Sequence, residues 1–514
     1  MNDPDPDRAN LPSSAALPGI GARTAAVLVF ASSAAVLVVE ITALRLLAPY
    51  LGLTLETSTL VIGIALAAIA LGSWAGGRLA DRGDPRRYLG LSLGVSGAVV
   101  AFTPAGIRMA AEWAPPTLLL VAALAILVPG ALLSAVTPMV TKMRLLTLAQ
   151  TGTVVGQLSG LGTMGAIAGT VLTGFVFISR VPVSVILIGL GLLLVLGGIL
   201  IEWRLRRWNT RTAIVLTIAV FGAGLAGYTA PGGCDVETKY HCARVLSDSE
   251  RNTGRTLVLD GARHSYVDVL DPTLLKFLYI RAFAAVVDGA FPAGEPLQAH
   301  HLGGGGLTFP RYLADSRPGT QSLVSEIDGG VVNIDREQLG LVSDSGIEVR
   351  VEDGRRGLAQ LADDSRDLIV GDAFGGVSVP WHLTTVEALA DVRRVLKQDG
   401  IYVANLIDYG SMAFARAEVA TLTEVFDHVV LSGEPNDIGM NSAEPNGGNV
   451  VVVASDRPVD RRAIQSILDT RQTQWITTAG AELSTWIGNA RVLTDDYAPV
   501  DQLLDPYRRE LSGS

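Results

Sequence analysis

The residues able to do chemistry are grouped at four places in the second half of the chain: Gly303-Gly304-Gly305-Gly306, Glu326, Asp353-Gly354 and Asp372. Each closes a short β-rich run. Glycines at a strand-to-helix turn let the backbone approach a ligand, and the helix start favours polar or anionic groups. Glu326 lies 20 residues beyond Gly306, where a carboxylate can accept both ribose hydroxyls of a bound nucleoside. Asp353 and Gly354 end the third run, placed to approach an adenine, and Asp372 ends the fourth. Glycine runs also serve tight turns, and an Asp after a strand also serves as a helix cap. The four strand ends together point to nucleoside-cofactor binding, because ligands of such sheets bind at the carboxyl ends of the strands.

The elements that must position these residues alternate between β-rich and helical patterns from residue 297 onward, the signature of a parallel sheet with crossover helices. The strand candidates are 297–302, 322–327, 347–352, 367–371 and 401–406, with 429–431 and 449–453 as a closing hairpin. Before them, 243–269 reads as a small β region in which Arg255–Asp260 runs into a turn at Gly261.

The first half is of another kind. Mean hydropathy is +0.38, and the apolar excess lies between Arg23 and Ala230. Seven stretches reach the roughly 20 apolar residues that a membrane-crossing helix needs: 24–46, 57–79, 88–107, 116–141, 152–178, 182–202 and 212–230. Ten Arg or Lys residues fall in one set of alternate loops, against Arg45, Arg108 and Arg180 in the other. Basic loops stay in the cytoplasm, so the N-terminus is expected inside and, after seven spans, the C-terminal domain outside the cytoplasm. Gly72/Gly76, Gly156/Gly160 and Gly165/Gly169 have the spacing that lets helices approach closely in lipid. Glu40 within the first span reads either as a buried structural hydrogen bond or as part of a transport or substrate path. The expected organisation is a disordered tail (1–22), a transmembrane domain of about seven helices (23–231), a linker with a small β region (232–296) and the nucleoside-binding α/β domain (297–505). A net charge of −10 gives no reason to expect nucleic acid.

The same motifs carry a resemblance. Leu257–Gly261, His301–Gly306, Glu326-Ile327-Asp328, Val351–Gly354, Val370–Phe374 and Leu493–Val500 resemble the spermidine synthase (polyamine aminopropyltransferase) family. Glu40–Pro49 and Gly76–Arg82 look like its membrane-fused branch. The resemblance implies a class I methyltransferase-like (Rossmann-like) fold. It also implies transfer of an aminopropyl group from decarboxylated S-adenosylmethionine, as co-substrate, to an amine. By that resemblance Glu326 would hold the ribose, Asp353 and Gly354 the adenine, and Gly303–Gly306 would lie against the sulfonium end. His264 stands where the family usually has a cofactor-contacting Gln, and Asp372 would be the catalytic base. Two departures fall at the acceptor end: Gly306 and Gly375 stand where the family usually has acids that grip the polyamine.

Cys234 and Cys242, the only cysteines, follow the last span and suit a disulfide if the domain is exported. With His241 alone beside them they lack the ligands for zinc, so no metal is expected. His300 and His301 read as satisfied core residues, whereas His382, Tyr266 and Tyr279 fit either the site or packing. The expected partners are the lipid bilayer and a small-molecule amine acceptor, with a homodimer left open. Two other readings stay open: a methyltransferase using intact S-adenosylmethionine on an envelope substrate, and a transporter or sensor with a nucleoside- or polyamine-binding domain.

Overall fold

The computed structural model describes residues 20–504 apart from 52–54, 146–150, 179, 207–209, 230–232, 344, 376–377, 441–444 and 472. The expected tail lies almost wholly outside the described residues. The chain divides into two compact units: one holds residues up to Leu46 and Ser58–Gly232, the other Leu47–Thr57 and Gly233 onward.

The first unit is helical, built from α1 (Ala22–Leu51) and α2 (Leu55–Arg82), apart from the end of α1 and the start of α2, with α3 (Arg86–Trp113), α4 (Leu118–Ser134), α5 (Val136–Arg144), α6 (Thr151–Leu172), α7 (Val183–Arg206) and α8 (Thr210–Thr229). Among the described residues six stretches, not seven, are long and apolar enough to cross a membrane, α4 and α5 together making one of them. The seventh expected span falls on α8, whose described apolar stretch, Thr217–Ala226, is shorter than a span. Pro104 and Pro129 lie inside α3 and α4 without ending them, as helices packed among others tolerate.

Two of the three glycine pairs make close helix contacts. A Cβ on Gly72 would stand 2.1 Å from the Ala131 carbonyl oxygen and one on Gly76 2.7 Å from the Ala135 Cα, so α2 meets the α4–α5 segment backbone to backbone. Gly165 and Gly169 of α6 press in the same way on Phe30 and Ala34 of α1. Gly156 and Gly160 face nothing within 4 Å.

The second unit begins with a four-stranded antiparallel sheet of β1 (Val236–Glu237), β2 (Cys242–Ser247), β3 (Gly254–Leu259) and β4 (Ala262–Asp268). The β3–β4 hairpin turns at Asp260 (φ 51°) and Gly261 (φ 81°), an Asp-Gly pair suited to the two left-handed positions of a tight hairpin. The main sheet contains β5 (Gln298–Leu302), β6 (Gln321–Glu326), β7 (Ile347–Val351), β8 (Arg366–Gly371), β9 (Leu396–Tyr409), β10 (His428–Gly433), β11 (Gly447–Ser455) and β12 (Ile476–Ala479). Their order is β12-β10-β11-β9-β8-β5-β6-β7. The strands from β5 to β9 are mutually parallel, and β11, β10 and β12 extend the sheet antiparallel.

Period-two alternation fills both faces. Ile401 and Val403 of β9 enter one hydrophobic core and Tyr402, Ala404 and Leu406 the other. Full burial of one such Ile or Val contributes about 1.5–3 kcal/mol. This explains the two adjacent histidines of β5. His300 and His301 are both buried, with Nε2 atoms 3.0 and 3.2 Å from the hydroxyls of Ser325 and Ser322. Burial pushes both imidazoles down to about 3, so they are neutral core groups.

Candidate active site

The chain winds from β5 outward to β6 and β7, then returns to lay β8 on the other side of β5. Ligands of such sheets bind at that reversal, at the carboxyl ends of the strands, here β5 and β8. The local sequence is fitted to it. Gly303 has φ +93°, and a Cβ there would stand 2.4 Å from the Asp372 carbonyl oxygen. A side chain is therefore excluded both by conformation and by space, and the two strand ends close on each other. The turn continues through Gly304, Gly305 (φ 49°) and Gly306 into the helix Thr308–Ser316.

The buried Glu326, last residue of β6, receives the amides of this turn. Its Oε2 accepts from Gly304 N (2.8 Å) and Gly305 N (3.4 Å), and its Oε1 from Asp328 N (2.8 Å). An ionised carboxylate has about four acceptor sites, so one stays open and the long Gly305 bond is easily exchanged. Gly306 N donates to the Ser265 hydroxyl of β4 at 2.8 Å, which ties the small sheet to the glycine turn.

Asp353 caps the short helix after β7, accepting from Arg356 N at 3.1 Å. Its other oxygen, Oδ2, lies 2.9 Å from His382 Nε2. A carboxylate only accepts, so that nitrogen carries the proton. His382, which fits either role from sequence, thus stands at the expected adenine end.

Asp372 follows β8 directly. Its carboxylate accepts from Tyr279 Oη (3.3 Å) and Asn405 Nδ2 (3.1 Å), and the Asn405 carbonyl accepts in turn from Asn449 Nδ2 (3.0 Å). The group is partly exposed yet densely surrounded. Burial pushes it up to about 6, against the two hydrogen bonds, which act downward. Burial and the neighbouring Asp372 charge raise the Tyr279 phenol well above its ordinary value, so it remains a donor.

His264 lies on β4, its ring centroid 6.3 Å from that of His241, which is bonded to Asp260 at 2.8 Å. Burial above all, with His241 adding to it, pushes His264 down to about 4. The structure therefore gathers Gly303–Gly306, Glu326 and Asp372 directly around the switch point, with Asp353-Gly354 one strand farther out. Sequence reasoning missed Ser265 and Asn405. Asn405 did leave a signal, as an amide inside the apolar run of β9. Cys234 and Cys242 form a disulfide across the start of the small sheet, and His241 is committed to Asp260.

No family model matches the chain. A probable polyamine aminopropyl transferase of Bifidobacterium longum is 26% identical over 321 residues, covering 57% of this chain and 68% of that protein. The polyamine aminopropyltransferase of Vibrio vulnificus is 26% identical over 235 residues, covering 45% of this chain and 76% of that protein. Among solved structures, a probable spermidine synthase from Corynebacterium glutamicum is similar, with 27% identity, a TM-score of 0.47, and 52% of this chain and 97% of that chain covered. The chain is thus similar, over its second half, to polyamine aminopropyltransferases, which are transferases of the spermidine synthase family.

Proposed function

We propose that the protein is a membrane-bound aminopropyltransferase that uses decarboxylated S-adenosylmethionine and an amine acceptor. The observation that carries this reading is Asp372, a carboxylate at the switch point, held by Tyr279 and Asn405 and raised to about 6. In the reaction the acceptor nitrogen attacks the methylene bound to the sulfonium. A C–N bond forms, and the C–S electron pair passes to sulfur, releasing methylthioadenosine. The acceptor arrives as an ammonium without a lone pair, so a base must take its proton, and a base near neutral pKa is the efficient choice. The sulfonium is already activated, and alignment supplies most of the remaining catalysis.

Glu326 is the proposed ribose acceptor, with Gly303–Gly306 against the sulfonium end and Asp353-Gly354 at the adenine. His264, lowered to about 4, is neutral at working pH and adds no positive charge beside a sulfonium. The amine end lacks acids at Gly306 and Gly375, which favours an acceptor with one cationic nitrogen over a diamine.

The orientation proposed is a C-terminal unit outside the cytoplasm, with α8 as the seventh span. Its 20 residues extend about 30 Å at 1.5 Å per residue, and its sequence carries no charged residue beyond Arg211. The Cys234–Cys242 disulfide suits an oxidising compartment. The decisive assay presents the full chain in detergent with decarboxylated S-adenosylmethionine and a panel of monoamines and diamines, measuring methylthioadenosine release. No release with any amine, from protein that binds methylthioadenosine, would refute the transferase reading. A C-terminal alkaline phosphatase fusion should be active and a green fluorescent protein fusion dark; the reverse pattern would refute the orientation.

A further inference from the structure

Asp353 is held from two directions, and the second hold comes from a distant part of the chain. Arg356 N fixes Oδ1 through the helix cap, while His382 Nε2 meets Oδ2 at 2.9 Å. His382 belongs to the segment that follows Asp372, in a helical turn at Trp381–Leu383. That turn is itself secured. Arg355 Nη1 donates to the His382 carbonyl at 3.2 Å, and both terminal nitrogens of Arg355 bind the Asp495 carboxylate at 2.7 Å. Thr385 Oγ1 donates to the same carboxylate at 2.7 Å and caps the helix that follows. The imidazole also meets the edge of the Trp381 ring, with centroids 5.8 Å apart. The His382 ring is thus delivered to Asp353 by a braced turn.

We propose that His382 is a positioning residue for Asp353 and thereby sets the preference of the site for 6-amino over 6-oxo purine nucleosides. The inference rests on the nucleoside-binding reading above. An ionised carboxylate offers acceptors only, and each Asp353 oxygen, after its one bond, keeps an acceptor site for the ligand. A 6-amino group donates to it. A 6-oxo group presents an oxygen instead, and a carboxylate pinned at both oxygens cannot turn away from that repulsion. Discrimination by such a site comes from the mismatched pair as much as from the matched one. Without His382 only the Arg356 amide holds Asp353, and the carboxylate is free to rotate, which weakens the match and relieves the mismatch.

The test titrates the full chain in detergent with methylthioadenosine and with its 6-oxo counterpart, methylthioinosine. The unaltered protein should bind the 6-amino nucleoside more tightly. His382→Ala should weaken methylthioadenosine binding about tenfold, the scale of one charge-assisted hydrogen bond at a partly exposed site, and should narrow the ratio between the two nucleosides. His382→Gln, whose amide N–H can still donate to Asp353, should recover part of both effects. Equal weakening of both nucleosides in His382→Ala, or an unchanged ratio in either variant, would overturn the inference while leaving the nucleoside reading intact. An unaltered protein that binds neither nucleoside would instead overturn that reading, and this inference with it.

Discussion

The two ends of the candidate site are built to different degrees. At the nucleoside end, Glu326 and Asp353 each have both oxygens engaged, by backbone amides and by His382. At the amine end, Asp372 has Tyr279 and Asn405, but the flanking positions are Gly306 and Gly375. A carboxylate held at both oxygens is rigid and presents its remaining acceptor sites in fixed directions. An end with one carboxylate constrains one nitrogen of the acceptor and leaves the rest of it to shape. On the proposed reading, the contrast separates what the site demands of a nucleoside from what it tolerates in an amine, and it can be broken by substitution at either end.

The largest effect is expected at Asp372. Asp372→Asn keeps size and hydrogen-bonding capacity but loses basicity, and loss of a general base typically costs about a hundred- to ten-thousand-fold in rate. Turnover should fall by that order while methylthioadenosine binds nearly as before. If full activity persisted, proton transfer would lie elsewhere and the amine end would need redrawing.

The next effect tests the other end. Glu326→Gln keeps one acceptor oxygen but loses the charge that the Gly304, Gly305 and Asp328 amides face, and hydrogen bonds to charged groups contribute about 1.5–3 kcal/mol each. Nucleoside affinity, read by calorimetry on the full chain, should drop about ten- to a hundredfold. The rate at saturating cofactor should change much less. An unaltered affinity would remove Glu326 from the nucleoside end. Together with Asp372→Asn, this makes a double dissociation between binding and turnover.

How far these residues were legible in the sequence depends on distance along the chain. Glu326, Asp353 and Asp372 announce themselves because each closes a run of β-rich residues, and strand ends are local features. The main strands were readable for the same reason, but β1 and β12, with two and four residues, are too short to show a period. Pairings across the fold left no such mark: His382 and Asp353 lie 29 residues apart, Arg355 and Asp495 lie 140 apart, and only the folded sheet brings them together. In the helical unit, Gly72/Gly76 and Gly156/Gly160 share one spacing, yet among the described residues only the first of these two pairs meets a neighbouring helix. Spacing describes a face; what covers that face is a tertiary fact.

A smaller effect is expected from pH. Asp372 acts as a base only when ionised, and its folded-state value of about 6 lies above the ordinary 3.8. Lowering pH through 6 should therefore reduce turnover, approaching tenfold per pH unit further down, while Tyr279, raised well above 10, contributes no change near neutrality. Asp372→Asn should abolish this limb in whatever activity remains. A limb centred near 4 would mean that water and ligand relieve the burial, so that the carboxylate behaves as an ordinary exposed one.

The smallest effect probes whether the amine end can be rebuilt. Gly306 and Gly375 both stand where the family usually has an acid, but their surroundings differ. A Cβ on Gly306 would lie 2.9 Å from the Ser265 Cβ and 3.1 Å from Val267 Cγ2, beneath the small sheet. Gly306→Asp must push β4 away from the glycine turn, at an overpacking cost of about 1–3 kcal/mol, so it should lower thermal stability and cofactor affinity without helping diamines. Gly375 is exposed, and among the described residues its Cβ would meet only the Ser378 carbonyl oxygen at 3.9 Å. Gly375→Asp should therefore fold normally and place a carboxylate within reach of a second ammonium. An exposed ion pair contributes about 0.2–1 kcal/mol, which corresponds to a gain of roughly 1.5- to fivefold in putrescine kcat/KM over the unaltered chain. The gain should vanish at high salt, where exposed pairs are screened. If Gly306→Asp instead gave the larger gain in a fully stable protein, the small sheet would have to yield at the glycine turn. If the unaltered chain already turned putrescine over efficiently, the second ammonium would be gripped by groups other than these two positions.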